Sequence, residues 1–503
     1  MKNGLPILLK HFKETLRYKV VRGVPTLGYS VFYIDLSSWK LNLSELTPVI
    51  WVKDGDQSDF TPRELFQSLQ DVVRERSMGR QTVLVILDMD GAEFKQYTAN
   101  LSSNFVIIDI NTQKQIVHSS RATGELRDAI IGQLSLINLS PFEINSPVTG
   151  SRFFGREYEI MRILDRLRTD NFAILGIRRI GKTSLLLEVR RRLLEEDSGY
   201  PVFYMDCSDM LSTDSFVREV VRHFNIRDIN RLHRQRQQYS VYFPNFLKRM
   251  HKKYGREIVL LLDEIDNVLI IQRGDWTLFN MLRKSAIDND VRIVIAGFRE
   301  AMQESYLFDS PLANFVDIIR LREFTFKQAN KLVFTPMENL GIRFKNKGEV
   351  IRRIYEETAG HPNLIQYYCH VLLKKMDDSG DRIISPDSLQ SVYADRELMN
   401  RLIMSFLYNT KNREKAIVYL LLMENEDVYT NGFTQDKIDN LLKKQRIEMT
   451  QIELEQACAA LALAGVFLKR GKEYFFHTPV FTKALLNEYN LRYLLQKALD
   501  EGL

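Results

Sequence analysis

Residues 171–186 read Asn-Phe-Ala-Ile-Leu-Gly-Ile-Arg-Arg-Ile-Gly-Lys-Thr-Ser-Leu-Leu, and they carry the strongest structural signal in the chain. An apolar run that ends at Gly176 is typical of a buried strand, and the Leu-, Glu- and Arg-rich pattern that follows the loop predicts a helix. Between them, Gly176, Gly181, Lys182 and Thr183 have the Gly-x-x-x-x-Gly-Lys-Thr spacing of a phosphate-binding loop. In such a loop, backbone N–H groups and the helix N-terminus surround the phosphates.

The loop supplies the first candidate binding residues. Lys182 is expected to reach the β- and γ-phosphates of a nucleoside triphosphate, and Thr183 is expected to hold Mg²⁺. The predicted nucleotide-binding residues of the loop are Gly176, Arg178, Arg179, Ile180, Gly181, Lys182, Thr183 and Ser184. Because a strand precedes the loop and a helix follows it, a chance glycine pattern is a poor explanation. The sequence indicates a nucleotide-binding protein.

A second apolar run ends in carboxylates. Residues 258–266 read Ile-Val-Leu-Leu-Leu-Asp-Glu-Ile-Asp. A run without polar residues is typical of a central parallel strand, and α/β proteins place their ligands at the carboxyl ends of such strands. We expect Asp263 to bind Mg²⁺ through water and Glu264 to orient and polarise the attacking water. Asp266 either supports them or caps a helix.

Another element stands shortly before the loop. It reads Phe153-Phe-Gly-Arg-Glu157, and the loop itself reads Gly-x-Arg-Arg-x-Gly-Lys-Thr. Together they resemble the archaeal and bacterial branch of the STAND and origin-recognition-like P-loop ATPases, relatives of the AAA+ proteins. The resemblance extends from Phe153 to the C-terminus. It implies ATP and Mg²⁺ as cofactors and places Phe154 and Arg156 near the adenine, although a structural turn and cap is the alternative interpretation.

The resemblance also gives roles to two later residues. Arg299 follows the apolar run 291–297, where these ATPases carry a phosphate-sensing residue. Pro362 ends a Gly-x-Pro motif, through which the helical lid of STAND ATPases touches the base of the nucleotide. A surface arginine and an ordinary helix start are the alternatives. The candidate catalytic residues are then Glu264, Lys182 and Arg299.

Residues 401–503 have the pattern of a winged-helix domain. Its signals are an amphipathic helix at Arg413–Glu424, a capping Thr434, a capping box at Thr450 and a hairpin at Gly465–Phe476. Such a domain can read duplex DNA. However, the presumed recognition helix begins with Gln451, Glu453 and Glu455, so acidic groups stand where phosphates would approach. An intramolecular clamp or protein-docking module is the alternative.

The resemblance does not cover the N-terminal part, which reads as an independent α/β unit with some parallel pairing. Its strand-like runs are Tyr29–Leu36, Val49–Val52, Thr82–Asp88 and Asn104–Ile110; its helices follow Thr61 and occupy Thr123–Leu134. Asp88 and Asp90 resemble the opening motif of haloacid-dehalogenase-type phosphatases, but the family's later motifs are not cleanly supplied. Glu93 and Lys95 could be half of a nuclease-type site, yet they lie in a helical pattern. A sensor or interaction module is favoured.

Composition limits the class of protein. The 503 residues are 45% hydrophobic and 27% charged, which is typical of a soluble protein of several domains. The net charge of +6 permits contact with nucleic acid without requiring it, and the Arg- and His-rich region 225–240 favours a solvated helical face. Three widely spaced cysteines, no signal-peptide pattern and no membrane-spanning run predict a cytoplasmic protein without membrane contact.

The sequence therefore predicts an α/β fold with a P-loop NTPase core of the AAA+ or STAND type. The predicted parts are an N-terminal α/β domain (1–138), a linker (139–152), the ATPase core (153–323), a helical lid (324–400) and a winged-helix domain (401–503). The expected function is a slowly hydrolysing, Mg²⁺-dependent ATP switch that forms a homo-oligomer, with Arg273 and Arg283 as possible arginine fingers. The alternatives are an initiator or transposition-type ATPase on duplex DNA, and an N-terminal enzyme gated by ATP.

Overall fold

The computed structural model describes residues 5–55, 60–79, 81–99, 101, 104–195, 199–224, 239–307, 310–397, 399–400, 403, 410–424 and 431–502. The chain forms two compact units. Unit one comprises Met1–Phe142, Val333–Val350 and Cys369–Leu389, and unit two comprises Glu143–Leu332, Ile351–Tyr368 and Gln390–Leu503. No helix among the described residues is long and apolar enough to cross a bilayer.

The N-terminal part of unit one is built on a five-stranded sheet in the order β1-β2-β3-β4-β5. Its elements are α1 (Ile7–Glu14), β1 (Val20–Arg22), β2 (Ser30–Asp35), β3 (Leu46–Val52), α2 (Pro62–Glu75), β4 (Val83–Leu87), α3 (Ala92–Ala99), β5 (Phe105–Ile108), α4 (Ile110–His118), α5 (Ala122–Ile131) and α6 (Leu136–Leu139). The first three strands pair antiparallel and β3, β4 and β5 pair parallel, which confirms the prediction of some parallel pairing.

The helix starts of this sheet show where local rules hold. Thr61 caps α2 through a capping box with Glu64, and Pro62 is its first residue, as the sequence predicts. The predicted threonine cap of α5 is wrong. That helix begins at Ala122 behind Arg121, with no side-chain cap, so Thr123 already lies inside the first turn.

Unit two contains the second five-stranded sheet, in the order β10-β6-β9-β8-β7, and all its pairs are parallel. Its elements are α7 (Glu157–Arg166), β6 (Phe172–Leu175), α8 (Lys182–Glu195), β7 (Val202–Asp206), α9 (Thr213–Phe224), α10 (Tyr239–Tyr254), β8 (Ile258–Asp263), α11 (Asp266–Gln272), α12 (Thr277–Ile287), β9 (Val291–Gly297), α13 (Arg299–Glu304) and β10 (Asp317–Arg320). Every residue of β6, β8 and β9 is buried, because an apolar core lies on each face of the sheet.

The chain continues with α14 (Phe326–Asn339), β11 (Arg343–Phe344), α15 (Lys347–Glu357), α16 (Pro362–Ser379), β12 (Ile383–Ile384) and a 3-10 helix (Asp387–Ala394). β11 and β12 pair parallel. Most of the Arg- and His-rich region, 225–238, lies outside the described residues, and α10 begins directly after it. The three cysteines, Cys207, Cys369 and Cys458, are buried free thiols, as the apolar patterns around them indicate.

The C-terminal segment comprises three helices, a hairpin and two further helices. They are α17 (Asn412–Glu424), α18 (Gln435–Lys444), α19 (Gln451–Leu463), β13 (Phe467–Arg470), β14 (Glu473–Phe476), α20 (Pro479–Glu488) and α21 (Leu491–Asp500). Thr434 caps α18, and Thr450 forms a capping box with Glu453 at the start of α19, as predicted. The hairpin turns after Arg470 at Gly471, which has a φ of +63°. The last two helices were absent from the sequence prediction.

Candidate functional site

The loop between β6 and α8 has a backbone that glycine makes possible. A Cβ on Gly176 would lie 2.9 Å from both the Ile180 side chain and the Leu321 carbonyl oxygen, so a larger residue would displace one of them. Gly181 has a φ of +105°, which side-chain-bearing residues rarely adopt. Arg179 also has a left-handed φ, of +60°. The loop therefore curls tightly between the strand end and the helix start.

Lys182, the first residue of α8, is folded back over this loop. Only 5% of the residue is exposed, and its Nζ donates to the carbonyl oxygens of Gly176 at 3.2 Å and Ile177 at 3.4 Å. Burial lowers the pKa of Lys182, while the nearby carboxylates of Glu264, Asp266 and Asp263 favour its charged form. The loop thus holds a desolvated ammonium group against its own carbonyl groups.

Two carboxylates stand where β8 ends. Asp263 is 2% exposed; its Oδ1 accepts the Glu264 N–H at 3.0 Å, and its Oδ2 accepts the Tyr204 hydroxyl at 3.1 Å. Glu264 has a φ of +49°, an uncommon conformation for a residue with a side chain and one that accumulates at functional sites. Burial raises the pKa of Glu264, and Lys182 opposes that rise. The sequence prediction missed Tyr204, which burial and Asp263 keep protonated by raising its pKa.

A cavity of about 270 Å³ opens beside the loop. The predicted residues that line it are Phe154, Arg156, the loop residues 178–184, Glu264 and Pro362. Gly176, Asp263 and Arg299 are not among its lining residues. The prediction missed a wall made by residues 143–148, Leu332, Asn363 and Gln366. Segments that are far apart in the sequence therefore enclose one space next to Lys182.

The Asp266 carboxylate caps a helix. Its Oδ2 accepts the Phe298 N–H at 2.7 Å, and its Oδ1 accepts the N–H groups of Glu300 at 2.8 Å and Ala301 at 3.2 Å. These are N–H groups at the start of α13, which carries Arg299. Of the two roles considered for Asp266, the structure shows the cap, although the capped helix is α13 and not the α11 that Asp266 itself begins.

Arg299 is the first residue of α13, directly beyond the carboxyl end of β9. Its Nη2 lies 3.3 Å from Oε2 of Glu414, a residue of α17 that is 4% exposed. The same carboxylate oxygen accepts the Lys411 N–H at 3.0 Å. The predicted phosphate sensor is therefore paired with a buried carboxylate of the C-terminal segment.

Arg156 and Phe154 take different positions at the cavity. Both are 5% exposed. The Arg156 guanidinium lies over the Phe324 ring at 4.7 Å and donates to the Arg322 carbonyl oxygen and to Glu159. Burial lowers its pKa. Arg156 thus ties the start of α7 to the segment that leads into α14, while Phe154 supplies an aromatic wall.

A histidine–carboxylate cluster lies beside the loop between β6 and α8. His361 Nε2 is 3.4 Å from the Arg178 carbonyl oxygen, and burial lowers the pKa of His361 to about 4 despite the nearby Glu323. Glu323 Oε1 is 3.2 Å from Nε2 of His477, which directly follows the C-terminal hairpin. Burial alone would raise the pKa of Glu323, but its contact with His477, its own N–H and the charges of both histidines lower it to about 2.

Comparison with known proteins agrees with this geometry. Residues 153–368 match the model of a family described as an ATPase domain predominantly from Archaea. Among curated proteins, none shows significant similarity in sequence. A Walker-type ATPase of Pyrococcus abyssi is similar in structure at 15% identity and a TM-score of 0.50, over 69% of this chain and 99% of that one.

Two further structures match with lower scores. The Orc1 protein of Aeropyrum pernix, solved in complex with DNA, matches at 16% identity and a TM-score of 0.38, over 70% of this chain and 93% of that one. A RuvB variant of Thermotoga maritima matches at 15% identity and a TM-score of 0.37, over 68% of this chain and 99% of that one. The predicted fold class is confirmed for the core: the chain is an α/β protein with a P-loop beside a parallel sheet, and its residues 153–368 are similar to an ATPase domain found predominantly in Archaea.

Proposed function

We propose that this protein is a Mg²⁺-dependent, slowly hydrolysing ATP switch of the STAND or AAA+ type, in which the C-terminal segment 412–500 responds to the nucleotide. The pairing of Arg299 with Glu414 carries this proposal, because it joins the predicted γ-phosphate sensor to that segment. A γ-phosphate that attracts Arg299 competes with Glu414 for the same guanidinium.

The loop and the carboxylates of unit two have the composition that ATP binding requires. Loop N–H groups and the N-terminus of α8 favour the phosphates, and Lys182 contributes the positive charge. Phe154 and Pro362 line the cavity, and in our proposal they contact the base. Glu264 faces the same cavity with a raised pKa, and in our proposal it orients the attacking water.

The residues also fit a magnesium ion. Hydroxyl and carboxylate oxygens are the ligands that Mg²⁺ prefers, and Thr183 lines the cavity beside Lys182. Each Asp263 oxygen accepts one protein hydrogen bond and keeps a second lone pair, which suits contact through water. When bound, the ion would neutralise phosphate charge. Thr183 and Asp263 are the proposed holders.

Further contacts join the C-terminal segment to this site. A Cβ on Gly465 would lie 2.9 Å from the Ile177 side chain, so the turn after α19 packs against the phosphate loop. His477 contacts Glu323, and Lys483 Nζ lies 2.8 Å from Glu357 Oε1. We interpret the segment as a winged helix that works as an intramolecular clamp, held closed by these contacts until ATP opens it.

Binding to duplex DNA is the second candidate function. The tip of the β13–β14 hairpin exposes Lys469, Arg470 and Lys472, which could contact phosphates. At the start of α19, however, Glu453 pairs with Arg413 at 2.7 Å. In α18, Lys443 lies 2.5 Å from Asp439. Because these charges are already matched within the protein, the clamp is the stronger interpretation.

One experiment separates the two candidates. ATP turnover is measured for wild type and Glu264→Gln, with and without duplex DNA, and size-exclusion chromatography follows the assembly state. The switch predicts turnover that is insensitive to DNA and an assembly state that changes with ATP. Turnover stimulated by DNA, with assembly of Glu264→Gln on DNA, would favour the initiator-like function. Absence of ATP binding in wild type would overturn both.

A further inference from the structure

Residues 143–150 are here called the strap, and residues 143–148 of it form a wall of the cavity. Three side chains from outside the strap hold its backbone N–H groups. The Glu143 N–H donates to Gln366 Oε1 at 3.0 Å, the Val148 N–H to Ser184 Oγ at 3.1 Å, and the Gly150 N–H to Glu188 Oε2 at 2.8 Å. Two of these anchors belong to α8, and Gln366 belongs to α16.

The Gln366 anchor combines two properties: it lines the cavity, as Ser184 also does, and it carries a second polar group, the amide NH₂. Its position is one helical turn after Pro362, it is 9% exposed, and Pro362 lines the cavity as well. Its Oε1 is occupied by the strap N–H, which fixes which end of the amide is the acceptor. Among the described residues, none accepts a hydrogen bond from Gln366 Nε2.

From this arrangement we infer that Gln366 is a specificity-determining residue, whose Nε2 donates to a ring nitrogen of the adenine base. The inference rests on the proposed ATP site. In the proposed ATP site Lys182, Thr183 and Ser184 serve the phosphates, so the base is left to the other lining residues, which include the strap, Phe154 and α16. Adenine carries unprotonated ring nitrogens, and each can accept one N–H.

This donor gives selectivity, because a ligand without the matching acceptor would displace water from Nε2 without replacing its hydrogen bond. Sites built to hydrogen-bond a substrate group reject analogues that lack it more strongly than apolar pockets reject a change of size. The strap contact adds to this effect, since it stops the amide from turning its oxygen toward the base. Gln366 therefore reads the base with an orientation that the strap sets.

The test compares binding affinities while both the ligand and the protein are changed, as in a double-mutant cycle. Dissociation constants are measured for ATP and for three deaza analogues, in which N1, N3 or N7 of adenine is replaced by C–H. The proteins are wild type, Gln366→Glu and Gln366→Met. Glutamate keeps an acceptor for the Glu143 N–H but removes the donor, whereas methionine removes both. Gln328→Met is the structural control, because Gln328 Nε2 donates to the Gly155 carbonyl oxygen at 2.6 Å and the side chain does not line the cavity.

We expect wild type to bind one analogue about tenfold more weakly than ATP, as the loss of one hydrogen bond implies. Both Gln366 variants should bind that analogue and ATP alike, while Gln328→Met keeps the wild-type ratio even if all affinities fall. Equal binding of ATP and all three analogues by wild type, or a ratio that survives in Gln366→Glu, overturns the inference. Failure of wild type to bind ATP overturns the proposed function itself.

Discussion

The two units place similar residues at the carboxyl ends of parallel strands and use them differently. In unit one, Lys95 Nζ lies 2.7 Å from Asp109 Oδ2, and Asp109 Oδ1 caps α4 through the Thr112 N–H. Asp88 accepts the Trp51 indole N–H at 2.8 Å. In unit two, Lys182 donates to two carbonyl groups of its own loop, and Glu264 lines a cavity.

The difference shows what a lysine and carboxylates need in order to form a binding site. In unit one, Lys95 and Asp109 neutralise each other, and Asp109 also caps α4. These contacts stabilise that end of the sheet. In unit two a glycine-rich loop keeps the ammonium and the carboxylates in separate positions around a space. The backbone between the charged groups, more than their residue types, thus distinguishes the proposed site from the structural cluster.

The largest effect is expected from the two lysines. Lys182→Ala should weaken ATP binding by about 100-fold, because a charge-assisted contact to phosphate is lost in a desolvated site. Lys95→Ala removes a lysine that serves Asp109, so it should lower the melting temperature without changing ATP affinity. Calorimetric titration with ATP and thermal denaturation of both variants check this prediction. Equal ATP affinities in the two variants would remove the distinction between the units.

The carboxylates provide the second test. Glu264→Gln should lower ATP turnover by about 100-fold while ATP still binds, because the group proposed to polarise the water is lost. Asp88→Asn should leave turnover unchanged, since Asp88 is engaged by Trp51. Steady-state phosphate release measures both. A fall in turnover with Asp88→Asn, or none with Glu264→Gln, would contradict the assignment.

A smaller effect is expected from the contact with the C-terminal segment. Glu414→Gln removes the charge that holds Arg299 but keeps an acceptor for the Lys411 N–H, so ATP turnover should rise about fivefold as the clamp loosens. Glu453→Gln is the matched control, because Glu453 pairs with Arg413 and not with Arg299. Turnover that is unchanged in Glu414→Gln, or raised equally in both variants, would show that the Arg299–Glu414 pair does not restrain ATP turnover.

The smallest effect concerns pH. Burial lowers the pKa of His361 to about 4, so the folded state favours the neutral ring. The unfolded chain binds the proton first as pH falls, and the stability contributed by neutral His361 is lost between about pH 6.5 and about pH 4. The melting temperature of His361→Gln should therefore depend less on pH in this window than that of wild type. Parallel pH profiles would contradict the buried, neutral assignment.

The sequence alone predicted the parts that follow local rules. The apolar strands, the glycine loop and the threonine caps at Thr61, Thr434 and Thr450 depend on residues close to one another in the chain. These elements were predicted correctly to within a few residues. The carboxylates at the end of β8 followed from the same logic, because strand ends collect ligands in α/β proteins.

The parts that escaped prediction depend on distant segments. Neither the strap nor Gln366 carries a motif, and they meet only because α16 packs beside residues 143–148. Glu414 lies in the charged stretch 411–415 at the start of a helical pattern, where an acid is typical of a solvated or capping group. Tyr204 lies inside an apolar strand, and its hydroxyl donates to Asp263 because β7 pairs with β8. The spacing of apolar residues identifies helices and strands, but not the distant segments that they contact.

Amide hydrogen exchange of Glu264→Gln, with and without Mg²⁺-ATP, measures whether ATP at the loop changes the C-terminal segment. We expect ATP to protect the loop residues 176–184 and, in the same sample, to speed exchange at the start of α17 and in the β13–β14 hairpin. Protection of the loop without any change in the C-terminal segment would show ATP binding without a switch. No protection of the loop would contradict the assignment of the ATP site.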